Sequence, residues 1–128
     1  MKKNILFVED EEMIREILKE AFINEGYDVD VTETGEEALE ILNKKNIQVM
    51  FLDLKLPGIN GLDLCREIRK INPVACIYAM TGYTSLFELV DCREAGFDDY
   101  FTKPTKLPIL LKAAQDAFDK LERWKKRP

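Results

Sequence analysis

Five short apolar runs alternate with five amphipathic segments along this chain, and that alternation restricts the fold more than any other feature. The runs are "ILFV" (5–8), "YDVDVT" (27–32), "IQVMFL" (47–52), "CIYAM" (76–80) and "DYFT" (99–102). Between them, apolar residues recur at helical spacing: Ile14, Ile17, Leu18, Ala21 and Phe22, then Ala38, Ile41 and Leu42, then Leu64, Cys65, Ile68 and Ile71. Leu86, Leu89 and Val90 mark a fourth helix, and Leu110, Ala114, Ala117 and Leu121 a fifth. Gly26 and Gly96 suit helix ends, Pro57-Gly58 a turn, Asn72-Pro73 a stop, and Ser85 with Glu88 the spacing of a capping box.

Strands that alternate with helices predict a parallel sheet covered on both faces. The 47–52 run reads as its most buried strand and the alternating 27–32 run as a half-exposed edge. Right-handed crossovers then bring every strand's carboxyl end to one edge, where ligands of open α/β sheets bind. The length of 128 residues suits a single domain spanning residues 1–128.

The residues expected at that edge carry unusual chemistry: Glu9 and Asp10 after the first strand, Asp53 after the third, Thr81 after the fourth and Lys103 after the fifth. Taken singly each has a plain explanation. Asp10 suits a helix cap, Asp53 a strand-end cap, Thr81 a loop hydroxyl and Lys103 a surface charge. Together they do not, because two carboxylates about 5 Å apart at an effective dielectric near 20 repel by roughly 3 kcal/mol, a large part of a domain's stability. Clustered hard oxygen ligands suit Mg2+, with Asp10 and Asp53 as direct ligands. Such a centre lets a carboxylate act as nucleophile toward phosphorus and form an aspartyl phosphate, with the lysine offsetting oxygen charge.

Composition removes other classes. With 24 acidic against 19 basic residues and a net charge of -5, the chain offers no broad electrostatic grip on nucleic acid or an anionic membrane. The basic end "RWKKRP" fits a last helical turn. Three cysteines, Cys65, Cys76 and Cys92, make neither a CxxC pair nor a disulfide framework, and they suit small core residues in a reducing compartment. No apolar run approaches a membrane span and the first residues run straight into a strand, so a cytoplasmic protein is expected. The absence of histidine excludes His-dependent triads and any phosphohistidine on the chain itself.

The blocks "FVEDEE", "FLDLKLPGINGLDL", "AMTGY" and "YFTKP", in that order and spacing, resemble the receiver domain of two-component response regulators over essentially the whole chain. The resemblance implies a flavodoxin-like strand order 2-1-3-4-5. It implies that Asp53 accepts a phosphoryl group, with Mg2+, from a sensor histidine kinase or histidine phosphotransfer protein. Glu9 and Asp10 then occupy the acidic pocket, Asp10 touching the metal and Glu9 acting through water, and the backbone carbonyl of Lys55 completes the site. Thr81 matches the family's switch hydroxyl, Lys103 its lysine, followed by Pro104 in a cis bond, and Tyr100 its aromatic switch. The output surface implied is the face of the fourth helix, fifth strand and fifth helix, contacting a downstream protein, with dimerisation on phosphorylation left open. Lys55 and Tyr83 flank the water of dephosphorylation in this family, and their bulk is expected to slow hydrolysis. Thr105 and Lys106 depart from the apolar-then-acidic pattern that often follows the proline.

A haloacid-dehalogenase-type phosphatase would want Asp-x-Asp, whereas position 55 is Lys. A flavodoxin-like electron carrier would want a hydroxyl-rich first loop, whereas "EDEE" repels phosphate. A receiver-shaped module that takes no phosphate remains the functional alternative, and the chain suits either a single-domain regulator or the receiver part of a longer regulator or hybrid kinase. Autophosphorylation and dephosphorylation aside, no turnover of an external substrate is expected.

Overall fold

The computed structural model describes residues 3–82 and 86–126, together with the backbone but not the side chains of residues 86 and 87. The expectations for Tyr83 and for Ser85 as a helix cap therefore lie outside the described residues. Ten elements follow in strict alternation: β1 (Asn4–Val8), α1 (Glu12–Asn24), β2 (Asp28–Thr32), α2 (Gly35–Lys44), β3 (Val49–Asp53), α3 (Gly61–Ile71), β4 (Cys76–Thr81), α4 (Leu86–Ala95), β5 (Asp99–Thr102) and α5 (Leu107–Lys126). All strand pairs are parallel, in the order β2-β1-β3-β4-β5. The expected architecture and strand order are both present.

The strand pleat divides the core into two layers. Leu6, Val8, Met50, Leu52, Ile77 and Ala79 face α2, α3 and α4, where Ala38, Leu64, Cys65, Ile68 and Cys92 meet them. Their sequence neighbours Ile5, Phe7, Val49, Phe51, Tyr78 and Met80 face α1 and α5, against Leu18, Phe22, Leu110, Ala114 and Phe118. Phe51 sits among aromatic rings in this second layer, 5.1 Å from both Phe7 and Tyr78 between ring centroids. Central strands buried on both faces must be apolar at consecutive positions, which explains the unbroken run that ends at Asp53.

The helical stripes are narrower than their spacing suggests. In α1 only Leu18 and Phe22 are buried, while Ile17 is half exposed. Gly26 and Gly96 follow α1 and α4 with φ of 95° and 105°, a backbone region that costs other residues strain. Thr34 caps α2 by accepting from the Glu37 backbone N–H, and Asn60 caps α3 by accepting from that of Asp63. Among the described residues no helix is long and apolar enough to cross a membrane. All three cysteines are free and buried, and burial pushes the Cys65 thiol up to about 12, so it is a packing group rather than a nucleophile.

The turn from β3 into α3 positions the site. Gly61 N–H donates to the Leu54 carbonyl at 2.9 Å and closes the loop on itself. A Cβ on Gly61 would lie 2.4 Å from the Asp53 carbonyl oxygen and 2.7 Å from Leu54 Cα, both backbone atoms. Gly61→Ala is therefore expected to cost about 1 to 3 kcal/mol of stability, read as a lower urea midpoint at unchanged slope.

Candidate functional site

Glu9, Asp10, Asp53, Thr81 and Lys103 stand at or just beyond the carboxyl ends of β1, β3, β4 and β5, as the alternation predicts. Glu9 is wholly buried, Asp53 and Thr81 nearly so, and Asp10 is exposed. Carboxylate oxygens of Glu9, Asp10 and Asp53 lie within 4.8 Å of one another. Asp10 makes no helix cap. That position belongs to Glu11, whose side chain makes no capping bond.

One ammonium binds two of the three acids. Lys103 Nζ donates to Glu9 Oε1 at 2.7 Å and to Asp53 Oδ2 at 2.8 Å. The lysine is placed by its own backbone, whose N–H donates to the Thr81 carbonyl at 2.7 Å, and its bond to Pro104 is cis, as expected. The remaining oxygens are also engaged: Glu9 Oε2 accepts the Glu11 backbone N–H at 3.1 Å, and Asp53 Oδ1 accepts that of Lys55 at 3.2 Å. Lys55 itself is exposed, with its side chain free of any role in that bond.

Burial pushes the Glu9 carboxyl above its ordinary value, a rise that the Lys103 hydrogen bond and the Glu11 N–H only partly offset. Burial alone would lower Lys103, but its hydrogen bonds to Asp53 and Glu9 outweigh that and hold it above an ordinary lysine. The two shifts describe the same balance from either side: a buried acid that ionises at a cost, and a cation that makes ionisation tolerable.

The Thr81 hydroxyl donates to Glu88 Oε1 at 3.0 Å, so Thr81 contacts the first turn of α4. Tyr100 stands on β5 opposite Ala79 in register, 38% exposed, on the side of the molecule that α4 and α5 flank. Two contributors escape sequence reasoning. Arg15 donates to the Glu9 carbonyl at 2.9 Å and pairs with Glu33 at 3.5 Å, tying the β1–α1 turn to the end of β2. Glu88 carries only a helix-cap signal in the sequence.

Oxygen donors alone, three of them carboxylates at an edge open to solvent through Asp10, form a set that fits a hard divalent cation keeping part of its water. A nucleophilic carboxylate beside such a cation and a lysine is chemically suited to phosphoryl transfer.

Comparison with known proteins places the chain in a family. The model of a family described as the response regulator receiver domain matches residues 5–115. The aerobic respiration control protein ArcA of Escherichia coli is 43% identical over 101 residues, covering 79% of this chain and 42% of that protein. A CheY-like response regulator receiver domain from Methanospirillum hungatei superposes with a TM-score of 0.92 at 31% identity, over 96% of this chain and 98% of that one. The receiver domain of Ssk1 from Saccharomyces cerevisiae, solved with the histidine phosphotransfer protein Ypd1, superposes at 0.85 with 26% identity, over 91% and 88%. The chain spans between 28% and 48% of the length of such curated relatives.

Replacing Lys103 by Met should leave Glu9 and Asp53 facing each other without their cation. A loss of about 2 kcal/mol is expected near neutral pH, less than for a fully buried pair because Lys103 keeps some contact with water. The deficit should shrink as pH falls through the raised Glu9 range, since a protonated Glu9 no longer needs the cation. In the parent, the Lys103 contribution is complete below the ordinary lysine value and is lost as pH rises through its raised one. Urea midpoints across pH for both proteins check all three signs.

Proposed function

Because the chain belongs to the response regulator receiver domain family, we propose that it accepts a phosphoryl group on Asp53 and converts that charge into a change of its α4–β5–α5 face. The observation that carries the reading is a nearly buried Asp53 carboxylate, 2.8 Å from Lys103 Nζ and within 4.8 Å of two further carboxylates. In the transfer a carboxylate oxygen of Asp53 forms a bond to phosphorus as the N–P bond of a donor's phosphohistidine breaks and its electron pair returns to the imidazole. The phosphohistidine must lie outside these 128 residues, which contain no histidine. The complex of the Ssk1 receiver with a phosphotransfer protein supports a sensor histidine kinase or histidine phosphotransfer protein in that role.

Asp10, Asp53 and the Lys55 carbonyl would hold Mg2+, with Glu9 acting through a bound water. When present, the ion neutralises charge on the phosphoryl oxygens and on the acids around them. Lys103 then exchanges one carboxylate for a phosphoryl oxygen, a short move for an ammonium already at Asp53 Oδ2. Thr81 supplies a hydroxyl to another phosphoryl oxygen, and the Tyr100 ring fills the space that Thr81 vacates. Val90 of α4, Tyr100 of β5 and Ile109 of α5 are exposed, which supports a protein partner, or a second copy after phosphorylation, on those elements. The chain modifies itself rather than turning over an external substrate, and its output is contact with a downstream protein rather than with nucleic acid. The greater length of its curated relatives supports a place inside a larger regulator as well as an independent one.

Intact mass after incubation with Mg2+ and acetyl phosphate should show one labile phosphoryl addition, absent in Asp53→Asn and without the metal. No addition, with beryllium fluoride also failing to bind, overturns the reading in favour of a phosphate-independent interaction module. Mg2+ alone should raise the thermal midpoint of the parent, reaching about 2.7 kcal/mol of stabilisation at a hundredfold excess over its Kd. Asp10→Asn should remove most of that rise in the same titration.

A further inference from the structure

Glu88 lies seven residues beyond Thr81, across the turn from β4 into α4, and yet receives its hydroxyl hydrogen bond at 3.0 Å. Thr81 is 3% exposed, so water hardly competes for that hydroxyl. A threonine hydroxyl carries a single proton, and an ionised glutamate can only accept. The bond is therefore charge-assisted and partly desolvated, the circumstances in which hydrogen bonds to side chains contribute most.

We propose that Glu88 is a positioning residue for the Thr81 hydroxyl, holding its proton in the resting protein so that a phosphoryl group on Asp53 must take it away. The proposal rests on the assignment of Asp53 as phosphoacceptor. It adds a competitor that the assignment lacks: two anions, the Glu88 carboxylate on one side and the phosphoryl oxygens on the other, share one donor. When the hydroxyl turns inward, Glu88 loses that bond and gains a like charge nearby. Because Glu88 belongs to α4, both changes are delivered to that helix directly, independently of the Tyr100 ring.

A glutamate in a first helical turn also complements the helix dipole, and that role alone would not depend on Thr81. A double-mutant cycle separates the two. The probe is beryllium fluoride with Mg2+, titrated calorimetrically into the parent, Glu88→Ala, Thr81→Ala and the double variant. Glu88→Ala is expected to bind about tenfold tighter than the parent, as loss of one charge-assisted bond to the resting state implies. In the Thr81→Ala background the same substitution should change affinity by less than about twofold. Glu88→Gln, which keeps an acceptor without its charge, should fall between parent and Glu88→Ala, and gives the same comparison where the alanine variant is unstable. Equal effects of Glu88→Ala in both backgrounds, or no effect in the parent background, overturn the proposal while leaving Asp53 as the acceptor. A parent that binds no beryllium fluoride instead overturns the acceptor assignment itself.

Discussion

Glu9, Asp10 and Asp53 bring carboxylate oxygens within 4.8 Å of one another, and the Lys103 ammonium offsets part of their mutual repulsion. That ammonium bridges the wholly buried Glu9 and the nearly buried Asp53, strands that are neighbours in the sheet but far apart in the chain. The strand order makes this possible: β1 and β3 lie side by side at the centre, and β5 reaches them through its carboxyl end, beyond β4. The lysine's position is set by main-chain bonding to Thr81, so the cation and the Thr81 hydroxyl share one strand junction. Any event that redirects Lys103 is felt by Glu9, Asp53 and the end of β4 at once.

The two layers beneath that edge serve it unequally. On one face, small and branched side chains such as Ala38, Ala79 and Cys92 let α2, α3 and α4 approach the sheet closely. On the other, the aromatic group around Phe51 fills the space under α1 and α5. Gly61 completes the arrangement by allowing the start of α3 to rest against the Asp53 main chain, where no side chain fits. Asp53 is thus fixed from its backbone outward, while its carboxylate oxygens accept from Lys103 Nζ and the Lys55 N–H.

Much of this was legible before any coordinates. Short apolar runs, one alternating strand and helical patterns marked all ten elements, since buried parallel strands and half-buried helices leave different signatures in hydrophobicity. The carboxyl-edge rule then brought Glu9, Asp10, Asp53, Thr81 and Lys103 together from chain order alone. Resemblance to a family, rather than spacing, contributed the roles of the Lys55 carbonyl and Tyr100. What escaped were contacts between a strand end and the helix that follows it. Arg15 reaches back to the Glu9 carbonyl and Glu88 accepts from Thr81, and neither pairing follows from periodicity, which marks faces rather than partners. The half-exposed Ile17 was similarly hidden, since helical spacing marks a stripe without saying how much of it the sheet covers.

Asp53 is the last residue of β3, a strand with every residue buried and with β1 and β4 hydrogen-bonded on either side. Cooperative units of a protein open in order of their stability, and central strands of this kind open last. The Asp53 main chain is therefore expected to be among the last in the domain to exchange with solvent. Chemistry at this edge is tied to the survival of the whole fold, while movement is left to the side chains of Lys103, Thr81 and Glu88, which can change partners without the sheet opening.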